Sequence, residues 1–193
     1  MSADSSLNDF RSLPNFSAVQ PLQPWGDQEH CAAVCVLLIP SLLGPQVVLT
    51  QRSDRVRTHK GQVCFPGGMR EPFEYSPLET AVRELAEELG VRVDPLQVHG
   101  QLPPFLSKHG LCVVPVVLSG PLVVKGDDRQ QRFVLQEEEV AEVLTPYWSE
   151  LCVDKFRRSW LPRWCGPFRG YFLASGHRVW GLTAEILKVI NFQ

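Results

Sequence analysis

The chain has little net charge and no long apolar segment, and each absence argues against a class of protein. A formal charge of −2 at pH 7 over 193 residues gives no overall attraction for nucleic acid or for an anionic membrane. No uninterrupted apolar run approaches the roughly 20 residues of a membrane-spanning helix. We therefore expect a protein that binds neither nucleic acid nor membrane and that holds any anionic ligand in a local basic cluster.

Paired-cysteine motifs and targeting signals are also missing. None of the six cysteines belongs to a CxxC pair, which argues against a zinc site. Those in CAAVCVLLI (31–39) and LCVVPVV (111–117) lie in apolar segments, where a free thiol behaves as a small hydrophobic group. The first 20 residues lack the layout of a secretory signal, and the ending NFQ is not the common peroxisomal tripeptide. The sequence predicts a reduced, intracellular, cytoplasmic protein.

The chain is predicted to form one domain behind an irregular N-terminal arm. Residues 1–29 are rich in Ser, Pro and polar side chains without periodicity, so the domain is placed at 30–193, a length that suits a single core. Strands are expected at 31–39, 46–52, within 63–68, near 95–105, and at 111–118, 140–145 and 168–180, with a late helix at 182–191. This order predicts an α+β fold with a mixed sheet between helical layers.

One earlier helix has clear limits in the sequence. Ser76 fits the N-cap, Pro77 suits the first helical position, and Glu79 completes an S-x-x-E capping box. Gly90 supplies a left-handed stop. The stripe that helical spacing predicts to face the core consists of Leu78, Ala81, Val82, Leu85 and Leu89.

Three carboxylates lie together on this helix. Like charges at the spacings of Glu84, Glu87 and Glu88 cost roughly 0.2–0.5 kcal/mol per pair, and a solvated helix face is the ordinary explanation. The glycine turn Gly67-Gly68, however, precedes the helix and can bring carbonyl oxygens close to it. Carboxylate and carbonyl oxygens are the hard ligands that Mg²⁺ and Mn²⁺ prefer. The pattern therefore predicts a divalent-cation site suited to cutting a phosphoanhydride.

Residues 67–91, GGMREPFEYSPLETAVRELAEELGV, resemble the Nudix box, G-x5-E-x7-R-E-U-x-E-E-x-G-U with U aliphatic. Eight residues, instead of seven, separate Glu74 from Arg83, but the helical register of the glutamates is kept. The resemblance implies the Nudix fold, an α/β/α sandwich with a mixed sheet, and a metal-dependent diphosphatase. The residues that match in order are Gly68, Glu74, Arg83, Glu84, Leu85, Glu87, Glu88, Gly90 and Val91.

A second stretch, VVLTQRSDRVRTHKGQVCFPGG (47–68), is similar to the extended signature of the coenzyme A diphosphatases within the Nudix superfamily. RVWGLTA (178–184) is likewise similar to a W-G-x-T-A segment common in these enzymes. The resemblance implies hydrolysis of coenzyme A or acyl-coenzyme A to 4′-phosphopantetheine, or its acyl form, and adenosine 3′,5′-bisphosphate. The alternatives are a Nudix diphosphatase for ADP-ribose, NADH or another nucleoside diphosphate derivative, and a non-catalytic Nudix binding module.

The resemblance also implies roles for the box residues, with Mg²⁺ or Mn²⁺ as the cofactor. Glu84, Glu87 and Glu88 would bind the metal, together with a carbonyl of Gly67 or Gly68. Arg83 would orient Glu87 by a charge-assisted hydrogen bond. The general base would be either a box glutamate, Glu87 or Glu88, or a later one, for which Glu139 in QEEEVAEV (136–143) matches best. A solvated acidic loop is the alternative for 137–139.

A basic segment before the glycine turn is predicted to bind the phosphates of a small-molecule substrate, since cationic donors, arginine above all, recognise phosphate. An ordinary exposed basic loop is the alternative. Trp160 and Trp164 are candidates for stacking on adenine or for packing at the rim of the core. A homodimer is compatible with the sequence. The predicted substrate-binding residues are Arg52, Ser53, Arg55, His59, Lys60 and Gln62.

Overall fold

A computed structural model describes residues 17–26, 30–92, 96–120, 133–152, 155–160 and 167–191. Within these ranges the chain forms twelve strands, two α-helices and a short 3-10 helix, Trp148–Glu150. In chain order the elements are β1 (Cys31–Ile39), β2 (Gln46–Val47), β3 (Leu49–Arg52), β4 (Val63–Cys64), β5 (Gly67–Met69), α1 (Pro77–Leu89), β6 (Gln97–Gln101), β7 (Phe105–Leu106), β8 (Cys112–Ser119), β9 (Val140–Leu144), β10 (Arg157–Trp160), β11 (Pro167–Phe172), β12 (Arg178–Trp180) and α2 (Gly181–Asn191).

The largest sheet is mixed, as predicted, and is built on β1 and β8. These two apolar strands run parallel, with Cys31 opposite Cys112 and Leu38 opposite Ser119. β2 and β5 pair antiparallel with β1, and β6 and β7 pair antiparallel with β8. Both central strands are almost continuously apolar because both faces of the sheet are covered.

The side chains of β1 alternate between two apolar cores, one on each face of the sheet. Val36 and Leu38 belong to the core that contains α2, whereas Cys35 and Leu37 belong to the core that contains α1. This alternation follows from the two-residue period of a strand. It produces the predicted helix–sheet–helix sandwich.

Two smaller antiparallel sheets complete the described fold, in the orders β4-β3-β9 and β10-β11-β12. The prediction of one strand over 168–180 is wrong, because a turn separates β11 from β12. Leu173 N–H donates to His177 O, and Gly176 takes φ +86°, a conformation that suits glycine. The predicted strand 46–52 is also split: β2 pairs within the large sheet, and β3 pairs with β9.

Helix α1 begins and ends where the sequence predicts. The Ser76 side chain accepts a hydrogen bond from Glu79 N, and Gly90 takes φ +65° after the last turn. The return bond of the predicted capping box differs: Glu79 Oε2 accepts from Tyr75 N at 2.7 Å and not from the N-cap amide. Of the predicted core stripe, Ala81, Leu85 and Leu89 are buried, and Leu78 and Val82 are partly buried.

Residues 17–26 are irregular but packed against the domain, and not loose. Gln20 and Gln101 form an isolated antiparallel bridge. Trp25 packs against the core that contains α1, and the Arg70 guanidinium lies 5.7 Å from the centre of its ring. The boundary at residue 29 stays a prediction. No helix within the described ranges is long and apolar enough to cross a membrane.

Candidate functional site

The site begins where the glycine turn meets α1. β5 pairs antiparallel with β1, which brings Gly68 against the helix face. A Cβ atom added at Gly68 would overlap the Glu84 carboxylate, and one added at Gly67 would overlap the Ala33 carbonyl oxygen. Glycine is therefore needed at both positions, because Gly68 lies close to the Glu84 carboxylate and Gly67 lies close to the backbone of β1.

The three box glutamates differ in exposure. The side chain of Glu87 is 53% exposed and that of Glu84 is 13% exposed, whereas Glu88 is 3% exposed. A solvated helix face, the ordinary explanation for the three glutamates, is therefore wrong for Glu88. It follows Leu85 by three residues and precedes Leu89, both fully buried, so the register of α1 turns it inward.

Glu88 carries the most perturbed carboxyl group of the cluster. Burial, and after it the charges of Glu84 and Glu139, raise the pKa of Glu88 to about 8, against the opposing effects of Arg52 and the Gly67 amide. Its Oε2 atom is buried and has no hydrogen-bond partner among the described residues. A buried carboxylate oxygen without a partner is costly, which indicates a position for a bound cation or proton.

Glu84 and Glu139 extend this acidic cluster. Burial raises the pKa of Glu84, and the charges of Glu87 and Glu139 act in the same direction, while Arg83 opposes them. We call Glu84, Glu88 and Glu139 the carboxylate cluster. Because these groups act on one another, a divalent cation among them would offset both their repulsion and their desolvation.

Arg83 holds the outer side of the cluster in place. Its Nη1 donates to Glu84 Oε1 at 2.9 Å and to Glu87 Oε2 at 2.8 Å, so the predicted Arg83–Glu87 contact is present. Its Nε donates to Glu74 Oε1 at 2.8 Å, and its Nη2 donates to Met69 O at 2.9 Å. Four donor contacts fix the guanidinium between the glycine turn and the helix.

Glu74 is the buried anchor of this arrangement. Its carboxylate also accepts from Thr80 Oγ1 at 2.6 Å and from Glu71 N at 2.7 Å. Burial opposes ionisation of Glu74, but the hydrogen bonds from Arg83, Glu71 and Thr80 outweigh it and lower its pKa. The extra residue between Glu74 and Arg83 does not prevent the contact. The contact of Thr80 with Glu74 was not predicted, because nothing in the sequence around Thr80 indicates it.

The turn that carries Glu139 is fastened to both α1 and β3. Gln136 N donates to Glu88 O at 3.0 Å, and Ser53 N donates to Glu139 O at 2.8 Å. These backbone bonds join segments that are distant in sequence. Glu139 is half-buried and acts electrostatically on Glu84 and Glu88, whereas Glu137 and Glu138 are exposed.

The predicted substrate-binding residues separate into two groups. Arg52 acts on Glu88 electrostatically, and its Nε is buried without a hydrogen-bond partner among the described residues. Ser53 is buried, and Gln62 holds the loop through its carbonyl, which accepts from Arg52 N at 2.9 Å. The exposed residues of the loop include Arg55, Arg57, His59 and Lys60.

Two exposed residues of the loop have side-chain partners. Arg55 Nη1 donates to Glu138 Oε1 at 2.9 Å. His59 Nδ1 lies 3.0 Å from Gln62 Oε1, and His59 has a positive φ of 59°. The Trp160 side chain and residue Trp164 lie outside what the structure describes, so their proposed contact with adenine stays a prediction.

The donor set fits a hard divalent cation, although the site is not arranged as a closed cage. Among the described residues, no three His, Cys, Asp or Glu side chains form a ready-made metal-binding group, since Arg83 pairs with Glu84 and Glu87. The unpartnered Oε2 of Glu88 and the Glu84 carboxylate against Gly68 are nonetheless oxygen donors of the type that Mg²⁺ and Mn²⁺ take. The carbonyls of Gly67 and Gly68 stay predicted ligands.

Residues 29–164 match the family model of the NUDIX domain. An uncharacterized Nudix hydrolase NudL from Yersinia enterocolitica is 36% identical over 191 residues, covering 95% of this chain and 90% of that protein. A NudL protein from Pectobacterium atrosepticum, also uncharacterized, is 34% identical over 192 residues, covering 97% and 94%.

Solved structures share the fold at lower identity. A Nudix hydrolase from M. smegmatis aligns with a TM-score of 0.51 and 22% identity, over 65% of this chain and 74% of that one. A Deinococcus radiodurans protein aligns with a TM-score of 0.52 and 17% identity, over 81% and 80%.

Proposed function

Since the chain belongs to the Nudix hydrolase family, we propose that its substrate is coenzyme A or acyl-coenzyme A. Membership itself makes the chain a hydrolase of a pyrophosphate-containing small molecule, in a family that generally uses a divalent metal. The proposal concerns which diphosphate is cut. We propose Mg²⁺ or Mn²⁺ as the metal, and 4′-phosphopantetheine (or its acyl form) and adenosine 3′,5′-bisphosphate as the products.

One observation carries the proposal: Arg52, at the end of β3, acts electrostatically on Glu88 of the carboxylate cluster. This residue lies in the stretch 47–68 that resembles coenzyme A diphosphatases, and its charge opposes the raised pKa of Glu88. Its buried Nε has no partner within the described ranges, so a substrate phosphate is a fitting acceptor. The exposed Arg57 and Lys60 of the same loop suit the additional 3′-phosphate of coenzyme A.

The site residues divide the work of hydrolysis. Glu84, Glu87 and Glu88 would hold a divalent cation, which would supply charge neutralisation and activation of the attacking water. Arg83 keeps Glu84 and Glu87 oriented through its Nη1. Either Glu139 or a box glutamate accepts the proton of the attacking water on a carboxylate oxygen. One P–O bond forms to the water oxygen, and the P–O bond to the bridging oxygen breaks.

Product identification by mass spectrometry tests the proposal. The purified protein with Mg²⁺ or Mn²⁺ is given coenzyme A, dephospho-coenzyme A, ADP-ribose and NADH in parallel. We expect 4′-phosphopantetheine to be released faster from coenzyme A than from its dephospho form. Preferential cleavage of ADP-ribose or NADH would leave the hydrolase intact and overturn the proposed substrate. Cleavage of none of the four would favour a binding module.

A further inference from the structure

An exposed ion pair joins the basic loop to the turn that carries Glu139. Arg55 Nη1 lies 2.9 Å from Glu138 Oε1, and the two side chains are 59% and 72% exposed. Arg55 belongs to the basic loop after β3, and Glu138 belongs to the turn before β9. The pair therefore joins Arg55, which is predicted to bind substrate, to Glu138, which directly precedes Glu139 in the sequence.

The two loops do not need this ion pair to stay together. Directly beside it, Ser53 N donates to Glu139 O at 2.8 Å, and Arg55 N donates to the buried Ser53 Oγ at 3.2 Å. Glu139 N in turn donates to Gln136 O at 2.9 Å. An ion pair as exposed as Arg55–Glu138 changes an equilibrium by about fivefold at most. The backbone bonds keep the two loops together, so Arg55 can exchange Glu138 for another partner.

The position of the Arg55–Glu138 ion pair indicates which ligand can replace Glu138 as the partner of Arg55. The bond from Ser53 N to Glu139 O sets the ion pair beside Glu139, and Glu139 acts electrostatically on both Glu84 and Glu88. The ion pair therefore lies next to the turn at which a diphosphate would meet the cluster. Arginine binds phosphate through two parallel hydrogen bonds, and such charge-assisted contacts are stronger than ordinary ones. A phosphate group arriving there would compete directly with the Glu138 carboxylate.

We propose that Glu138 stands in for a substrate phosphate: it holds Arg55 at the rim until a diphosphate-containing substrate takes the guanidinium. The inference rests on the proposed function only in that a diphosphate binds at the carboxylate cluster. Glu138 then weakens substrate binding by occupying Arg55. Arg55 becomes a specificity-determining residue, because substrates with more phosphate charge displace Glu138 more readily.

Arg55→Gln, Glu138→Gln and the double variant test the exchange. KM and kcat are measured with Mg²⁺ for whichever of coenzyme A or ADP-ribose the wild type cleaves faster. We expect Glu138→Gln to lower KM by about two- to fivefold and Arg55→Gln to raise it by about tenfold or more. In the Arg55→Gln background, Glu138→Gln should change KM by less than about twofold, and kcat should stay within about threefold throughout.

Opposite shifts in KM separate this exchange from a structural role. If the ion pair only stabilised the loops, both single variants would raise KM and lower Tm together, and the proposal would be overturned. Glu137→Gln removes the same charge from an exposed position of the same turn, where the described residues show no ion pair. An equal fall of KM in that control would assign the effect to general electrostatics and would also overturn the proposal.

A binding measurement, which needs no turnover, distinguishes failure of the proposed substrate from failure of the proposed exchange at Arg55. The affinity for ADP, measured by calorimetry with Mg²⁺, should rank Glu138→Gln above the wild type and the wild type above Arg55→Gln. Cleavage of ADP-ribose but not coenzyme A would refute the proposed substrate and leave this ranking intact. Equal ADP affinity in all variants would refute the exchange, whichever substrate is cut.

Discussion

Neutralising Glu88 should stabilise the metal-free protein while it removes activity. The carboxyl group is 3% exposed, and one of its oxygens has no partner among the described residues. Burial first, and then the charges of Glu84 and Glu139, raise the pKa of Glu88 from the ordinary 4.5 to about 8. Glu88→Gln keeps the size of the side chain and is neutral at every pH.

The magnitude follows from linkage between ionisation and folding. The folded protein holds the Glu88 proton more tightly than the unfolded chain does, so wild-type stability falls as pH rises from about 4.5 to about 8. At 1.36 kcal/mol per pKa unit, the full effect is about 5 kcal/mol. Entry of water and reorientation of the carboxylate relieve part of this cost. We therefore expect Glu88→Gln to gain about 2–3 kcal/mol above pH 8 and almost nothing near pH 4.5.

Denaturation in chelator at two pH values measures this difference. The free energy of unfolding of the wild type and of Glu88→Gln is compared at pH 4.5 and pH 8.5. Glu87→Gln is the matched control: that carboxylate is 53% exposed and pairs with Arg83, so its replacement should give no comparable gain. A Glu88→Gln protein less stable than the wild type at pH 8.5 would refute the reasoning, because it would mean that the carboxylate is well partnered in the fold.

Three further predictions concern the parts that support the site. Gly68→Ala places a methyl group against a carboxylate of the cluster and should lower kcat by about 10²-fold with the fold retained. Gly67→Ala places a methyl group against backbone atoms and should fail to yield folded protein. Equal yields and activities of the two variants would contradict both expectations. Glu74→Gln weakens a buried, charge-assisted network and should cost about 2 kcal/mol at pH 7. Because the Glu74 pKa is lowered in the fold, this deficit should shrink as pH falls below about 4.5, and a deficit that does not change with pH would count against it. Deletion of residues 1–25 removes the packed Trp25 and should lower Tm by about 6–12 °C, with kcat within about twofold; unchanged Tm would show that this packing contributes nothing.

The limits of α1 were predictable because the signals that set them are local. Ser76, Pro77 and Gly90 act on backbone groups within one turn of themselves, and the structure places each where the sequence predicts. The burial of Glu88 was not predictable in the same way. Its charge argued for solvent, whereas its helical register, next to Leu89, turned it inward. A charged residue at a buried helical position is the kind of local inconsistency that functional sites often carry.

The contacts that assemble the site join segments distant in sequence. The bond from Gln136 N to Glu88 O links two segments of the chain that lie nearly fifty residues apart, and no local pattern announces it. The ion pair between Arg55 and Glu138 is of the same kind. The turn within 168–180, by contrast, did carry a local signal in the sequence, Ser175-Gly176.

Turnover of coenzyme A by the wild type and by Glu88→Gln is the most direct test of hydrolysis at the carboxylate cluster. With Mg²⁺ at pH 7.5 and equal protein concentrations, release of adenosine 3′,5′-bisphosphate is followed over time. We expect steady release by the wild type and a fall of at least about 100-fold in the variant, whose folded state is verified by its Tm. Equal rates in the two proteins would contradict the placement of the metal-dependent chemistry at the carboxylate cluster.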